Sequence, residues 1–209
     1  MSIDLKKDFK HLYQPPSGRF VEVDVPEFAY LAIDGHGDPN TSRDYAAAVE
    51  ALYTSAYAVR AVFKKRTGTD FVVGPLEGLW SSPDPADFVN GNKGNWDWTM
   101  LIALPAAVST DDTSLGLTAA AAKKAHLPIT GIRRLTLREG LSLQIMHLGS
   151  YDDEAPVLAR LHRDVMPERG LTWNGRHHEI YLSDPRRTPA EKLKTVLRQP
   201  VTAADRSTS

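Results

Sequence analysis

A chain of 209 residues that is 42% hydrophobic and 24% charged has enough apolar material to bury a core as one domain, which excludes a disordered protein. Its 25 basic and 26 acidic residues are interspersed and leave a formal net charge of −1, so the electrostatic footprint of a nucleic-acid or anionic-membrane binder is missing. Zero cysteines remove thiol catalysis, disulfides and thiolate metal sites together.

The first residues, "MSIDLKKDFKHLYQPPSGRF", lack the apolar core of a secretion signal. No apolar run reaches the ~20 residues that span a bilayer, and the expectation is a soluble cytoplasmic protein. From Phe20 to Ile33, "FVEVDVPEFAYLAI" alternates as a strand that Pro26 bends or interrupts. "DGHGDPNTS" breaks it. Asp44 to Lys65 then carries Tyr45, Val49, Leu52, Ala56, Val59 and Phe63 at intervals of three and four, and Thr41 with Asp44 resembles a capping box for this helix.

Strand signals return in "DFVVGPLEGLW" and "WDWTMLIALP", which can pair as a hairpin across the Pro-, Gly- and Asn-rich connection "SSPDPADFVNGNKGN". The segment "PAAVSTDDTS" reads as the junction between two halves. Leu117 to His126 is a short Ala-rich helix, and "IRRLTLREGLSLQIMHLGSY" reads as two strands around a turn at Glu139-Gly140. Asp152 to Glu168, with Ala155, Leu158, Leu161 and Val165 on one stripe, is a second amphipathic helix. "LTWNGRHHEIYLSD" and "EKLKTVLRQPV" supply the last strands.

Strand, helix, strand, strand therefore occurs twice. The fold class expected is α+β, a single domain over residues 1–209 built from two pseudo-symmetric β-α-β-β repeats, residues 18–105 and 115–201. Their strands form one extended antiparallel sheet with two long helices on one face and a ligand cleft between the halves.

The residues that can carry chemistry are few. In "HHEIYL", alternation puts His178, Ile180 and Leu182 on one face and His177, Glu179 and Tyr181 on the other. Glu179 either pairs with Arg176 or His177 as a structural carboxylate, or sits at the base of an aromatic cleft. In the cleft, desolvation would raise its basicity for proton transfer, or its charge would complement a cationic ligand. Glu77 in "PLEGLW" is its counterpart by position in the first half. Trp80, Trp96, Trp98 and Trp173 fall on strands or their ends, where they either fill the core or, with Tyr57, face a concavity for a planar ligand. Adjacent histidines on a strand cannot chelate one ion, and no helical pair of histidines is spaced for it, so no metal and no cofactor is expected.

The runs "HLGSYDDEAPVLARLH" and "HHEIYLSDPRRTPAEKLKTVLRQPV", with "VDVPEFAYLAIDGHGDPN", "PLEGLW" and "WDWTMLI", resemble the GyrI-like small-molecule-binding family. The likeness is to its stand-alone branch, related to the effector-binding domains of multidrug-sensing regulators. The resemblance implies a strand glutamate at the centre of a ligand cleft, mapping onto Glu179. The tyrosine of a His-x-Gly-x-Tyr turn maps onto Tyr151, with Ser150 where a proline often stands.

Stand-alone members of this family include hydrolases that open the cyclopropane ring of DNA-alkylating natural products with water. The resemblance thus implies a detoxifying, resistance-conferring enzyme with Glu179 as base and Tyr151 as donor. Tyr57, Trp80, Trp98, Trp173, His177 and Tyr181 would line the site for a small aromatic or hydrophobic ligand. Two other readings stand beside it: a non-catalytic protein that sequesters or senses aromatic or cationic drugs, and, from distant SOUL-like fold relatives, a haem binder with His177 as axial ligand. The chain holds no helix-turn-helix to read DNA directly.

Overall fold

A computed structural model describes residues 2–84, 87 and 91–204. In chain order its elements are β1 (Ser2–Ile3), α1 (Leu5–Asp8), α2 (Lys10–Tyr13), β2 (Val21–His36), α3 (Arg43–Thr67), β3 (Asp70–Phe71), β4 (Leu76–Ser81) and β5 (Asp97–Leu104). They continue with α4 (Thr110–Lys123), β6 (Arg133–Leu148), α5 (Ala155–Arg160), α6 (Met166–Glu168), β7 (Leu171–Trp173), β8 (His177–Tyr181) and β9 (Lys194–Ala203). The class is mixed α+β with mainly antiparallel pairing. No helix among the described residues is long and apolar enough to cross a membrane. Of the connection expected between the Trp80 and Trp98 strands, residues 85, 86 and 88–90 lie outside the described residues.

The chain divides into two compact units. One comprises the residues up to Lys10 with Glu27–Arg138, the other His11–Pro26 with the chain from Glu139 onward.

In the first unit β5 is flanked by β2 and β4, both antiparallel to it, with Leu31 opposite Ile102 and Glu77 opposite Leu101. Long, apolar β5 suits this central place, since its residues from Trp98 to Leu104 are all buried. The helix α3 forms where the periodicity predicts it, but Ser42 rather than Thr41 caps it, its Oγ accepting from the Tyr45 N–H at 3.2 Å. Gly68, at φ 70°, ends it in the left-handed conformation that glycine adopts freely. Leu52, Ala56, Val59 and Phe63 form its buried face.

The segment expected as a junction is instead a helix start. Ser109 and Asp112 form the two bonds of a capping box, at 3.1 and 2.9 Å, and Arg66 of α3 closes on the buried Asp112 carboxylate. Local capping chemistry explains why "STDD" begins α4 well before the Ala-rich run. Where α4 meets α3, a Cβ on Gly116 would lie 2.6 Å from the Val59 Cα. Gly116→Ala should therefore destabilise the chain by ~1–3 kcal/mol through overpacking, outweighing the ~1 kcal/mol of helix propensity gained. A lower urea midpoint at unchanged slope measures it.

In the second unit β9 pairs antiparallel with β6, β7 and β8. Glu139 and Gly140 do not form the expected hairpin turn, because β6 runs unbroken through them. The carboxylate of Glu139 is buried and bonded to Arg198 and His178, so the polar dipeptide has partners inside the fold. Gly140, at φ 64°, absorbs the irregularity without ending the strand.

The helix expected over Asp152–Glu168 also differs. Tyr151–Glu154 is a 3-10 turn, and between α5 and α6 lies a π-helical turn, Leu161–Val165. Pro167 has no N–H to give the Arg163 carbonyl, and the Met166 N–H reaches back five residues to the Leu161 carbonyl. The wider turn brings both Leu161 and Met166 into the core of this unit, against Phe20, Leu143, Ile145, Leu197 and Val201.

Candidate functional site

Strand β8 supplies the floor of the site. Its alternation is the expected one: His178 and Ile180 are fully buried on one face, while His177, Glu179 and Tyr181 share the other. Register with β9 sets Glu179 opposite Leu197 and Tyr181 opposite Thr195.

The buried face is tied down by a polar network. The His178 Nδ1 lies 3.0 Å from one Glu139 oxygen, and Arg198 donates to the other at 2.9 Å, to Gln144 Oε1 at 3.1 Å and to the Leu12 carbonyl at 3.0 Å. Gln144 in turn donates to the His11 carbonyl at 2.8 Å. Burial pushes the Glu139 carboxyl up, but His178 and Arg198 outweigh it and hold the group down at about 2. A strand pinned this way by charge-assisted bonds presents its other face in a fixed geometry.

On that other face Tyr181 donates its hydroxyl to Glu179 Oε2 at 2.7 Å, and His177 Nε2 stands 3.5 Å from Oε1. His177 is 8% exposed, and among the described residues neither of its ring nitrogens has a hydrogen-bond partner. Buried nitrogens of this kind are what a polar ligand or water satisfies.

Tyr151 enters from the turn after β6. His147 Nε2–H donates to the Ser150 carbonyl at 2.9 Å, and Ser150 Oγ donates to Asp153 at 2.7 Å. Ser150 has φ −69°, the value to which proline is locked, so serine here keeps the backbone that a proline would give. The Tyr151 ring meets Tyr181 edge-on, with centroids 5.5 Å apart. Its hydroxyl is pushed up to about 12, by burial first and then by the carboxylates of Glu154, Glu179 and Asp184. At neutral pH it is therefore a proton donor.

Sequence reasoning missed Glu154. A 3-10 turn eclipses residues i and i+3, so Tyr151 and Glu154 share one side of Tyr151–Glu154, and Glu154 is buried there, 5% exposed. Its carboxyl is held far above the ordinary range, by burial first and then by the charge of Glu179. The signal was present in the triplet "DDE" directly after Tyr151, but acidic residues opening a helix read as dipole partners. His162 was missed too. It lies on the π-helical turn, its ring 4.0 Å from that of Trp173, and burial together with His177 pulls it down to about 4, so it is neutral.

The second unit thus brings together Tyr151, His177, Glu179 and Tyr181 of the expected set. Trp173 stands beside His162, half exposed. The remaining expected residues belong to the first unit. Trp98 is 2% exposed, its ring set against Gly35, where a Cβ would come within 2.0 Å of it. Tyr45, which sequence reasoning assigned to the core, bridges Trp98 and Trp80 at 5.2 and 6.4 Å, and Trp96 meets Trp80 edge-on at 5.6 Å. This is a packed aromatic cluster in which Trp98 offers a ligand almost no surface. Tyr57 lies exposed on α3, and Glu77, the positional counterpart of Glu179, is buried in β4.

A wide groove of about 720 Å³ in the second unit, lined by residues including Ser17, His147, Asp153 and Arg160, contains none of the clustered acids. No group of three or more His, Cys, Asp or Glu among the described residues is arranged to hold a metal ion. The arrangement is instead an acid–phenol cluster, able to take a proton from water at Glu179 and to donate one from Tyr151.

The family model for the GyrI-like small-molecule-binding domain matches residues 19–202. No curated protein matches the chain. Among solved structures, an uncharacterized conserved protein from Listeria innocua is 35% identical, with a TM-score of 0.87 over 96% of this chain and 100% of that one. A second Listeria innocua protein, described as a hydrolase, is 33% identical with a TM-score of 0.81 over 96% of this chain and 100% of its own. The C-terminal domain of EcmrR, 10% identical with a TM-score of 0.57 over 89% and 98% of the two chains, shares the fold.

Proposed function

We propose that this chain, which belongs to the family of GyrI-like small-molecule-binding domains, is a hydrolase that opens the cyclopropane ring of DNA-alkylating cyclopropanoid compounds, a detoxifying and resistance-conferring activity. The observation that carries the reading is Glu179, held by the Tyr181 hydroxyl at 2.7 Å beside the donor Tyr151. The description of a 33% identical relative as a hydrolase supports the reaction class.

In this mechanism Glu179 takes a proton from water while the water oxygen bonds to the ring methylene. The strained carbon–carbon bond breaks, and its electron pair moves through the conjugated system to the ligand's carbonyl oxygen. Tyr151, kept protonated by its raised pKa, donates to that oxygen as charge develops. The ligand's oxygen takes the Tyr151 proton and the proton held by Glu179 returns to the Tyr151 oxygen, so the water's two fragments end on the methylene carbon and the ligand's oxygen, and the site is unchanged. A positioned base contributes ~10² to 10⁴-fold, and relief of ring strain supplies the driving force. His177, Tyr181 and Trp173 line the site for a small aromatic ligand.

The second reading, a non-catalytic binder that sequesters or senses drugs, draws on the binding function that names the family. Turnover separates the two. A cyclopropyl dienone mixed with sub-stoichiometric protein should give many equivalents of hydroxylated product; at most one altered equivalent would assign the chain as a binder.

A further inference from the structure

We infer that His147 is the positioning residue of Tyr151: its ring holds the peptide plane from which that tyrosine departs, and so sets where the phenol stands relative to Glu179. The inference rests on the reading of Tyr151 as the proton donor.

The local sequence brings the two residues together. His147 is the last inward-facing residue of β6, 6% exposed, while Leu148 beside it points outward, 52% exposed. Register places His147 opposite Thr195 of β9, and Thr195 opposite Tyr181 of β8, so the imidazole stands on the same sheet face as the base and its phenol partner. Gly149 then turns the chain back at φ 139°, a region that glycine reaches freely. A Cβ there would also stand 3.3 Å from His147 Nε2 and 3.5 Å from Asp153 Oδ2, so the position between the histidine and the serine must be bare for the ring to reach across it.

The bond made by the ring carries the inference. His147 Nε2–H donates to the Ser150 carbonyl at 2.9 Å, and that carbonyl belongs to the peptide unit whose nitrogen is that of Tyr151. Because a peptide unit is planar, holding its oxygen holds the plane and leaves the φ torsion of Tyr151 to set the direction of the side chain. Three further bonds shape the turn. The Gly149 N–H donates to the Leu193 carbonyl at 3.1 Å, the Asp153 N–H donates to the same Ser150 oxygen at 3.1 Å, and Ser150 Oγ donates to Asp153 at 2.7 Å. Of the four, that of His147 is the one made by a side chain on the face that carries Glu179 and Tyr181.

The plane so held determines the spacing of donor and base. The Tyr151 ring meets Tyr181 edge-on at 5.5 Å, and Tyr181 bonds Glu179 at 2.7 Å. A tilt of the Ser150–Tyr151 peptide is therefore felt at the phenol, and a displacement of ~1 Å in a reacting group costs up to ~10²-fold in rate.

A double-substitution cycle tests this. His147→Leu keeps the bulk and removes the donor, whereas His147→Gln places an amide N–H where Nε2–H now stands. With a neutral cyclopropyl dienone, kcat of His147→Leu should fall by roughly 10- to 100-fold. Its KM should stay within about threefold of the native value, and His147→Gln should recover most of the lost rate. In a Tyr151→Phe background His147→Leu should cost little more, because the hydroxyl it positions is already gone. A side chain that only supports the fold would lower both backgrounds by the same factor, so equal factors overturn the inference, as does a His147→Gln protein that recovers nothing. Should His147→Leu fail to fold, His147→Asn takes its place, since it carries the same amide as His147→Gln one methylene short of the Ser150 carbonyl.

NMR of the chain labelled with ¹³C at the tyrosine Cζ atoms gives a readout without turnover. The Tyr151 signal, recognised by its loss in Tyr151→Phe, should move in His147→Leu and return in His147→Gln; a signal that His147→Leu leaves in place overturns the inference. If the native chain turns over nothing, or Tyr151→Phe loses no activity, the hydrolytic reading or the donor role fails while the tyrosine signal still judges His147.

Discussion

Glu179→Gln should bind a neutral cyclopropyl substrate nearly as well as the native chain while kcat falls by ~10² or more, the usual contribution of a positioned base. Glutamine keeps the side chain's length and can still meet the Tyr181 hydroxyl that now bonds Oε2 at 2.7 Å, so the substitution tests the proton acceptor and the charge without emptying the site. A binder that uses Glu179 for charge would respond differently, losing affinity for cationic ligands and little for neutral ones. A carboxylate that only supports the fold would alter neither, and the variant would melt earlier instead. Steady-state kinetics, titration with a neutral and a cationic ligand, and a melting curve on one variant separate the three. Full turnover by folded Glu179→Gln would defeat the mechanism.

Replacing Glu139 by leucine should destabilise the chain by ~3–5 kcal/mol, the cost of leaving a buried charge without its partner. The stranded charge is that of Arg198, which is 2% exposed and donates to Glu139 at 2.9 Å. Since His178 also loses its bond to Glu139, the β8 floor that carries Glu179 loosens with the network. Activity should then fall more steeply with temperature in this variant than in the native chain.

The pH dependence follows with a definite sign. Glu139 titrates at about 2 in the folded chain, against an ordinary value of 4.5. Its stabilising contribution is therefore present above the ordinary carboxyl value and lost as pH falls toward 2. The native chain should show this acid loss in a pH series of urea midpoints, and Glu139→Leu should lack it.

The two acids, Glu139 and Glu179, also mark what local sequence can and cannot convey. The alternation in "HHEIYL" was sufficient to separate His178 and Ile180 from His177, Glu179 and Tyr181, because a strand's two-residue period is a property of the backbone alone. The helix α3 was legible for the same reason, its apolar positions repeating with the helical turn. Composition alone bounded the chemistry, since a chain without cysteine has only oxygen, nitrogen and aromatic groups to work with.

What local pattern could not carry was the partner of a residue far along the chain. Glu139 looked like a turn because a glutamate before a glycine is solvated in isolation; Arg198, 59 residues away, supplies the charge that lets it sit inside β6. Ser109 and Asp112 looked like a linker until their mutual capping bonds made them a helix start. Trp98 had the alternation of a cleft residue, and only packing against Gly35 and Tyr45 puts it in the core. Glu154 reads in sequence as one of three acids opening a helix. Its burial beside Glu179 belongs to the tertiary structure, because a carboxyl's proton affinity is set by the water it loses and the charges it meets, and both are decided by residues the local sequence does not contain.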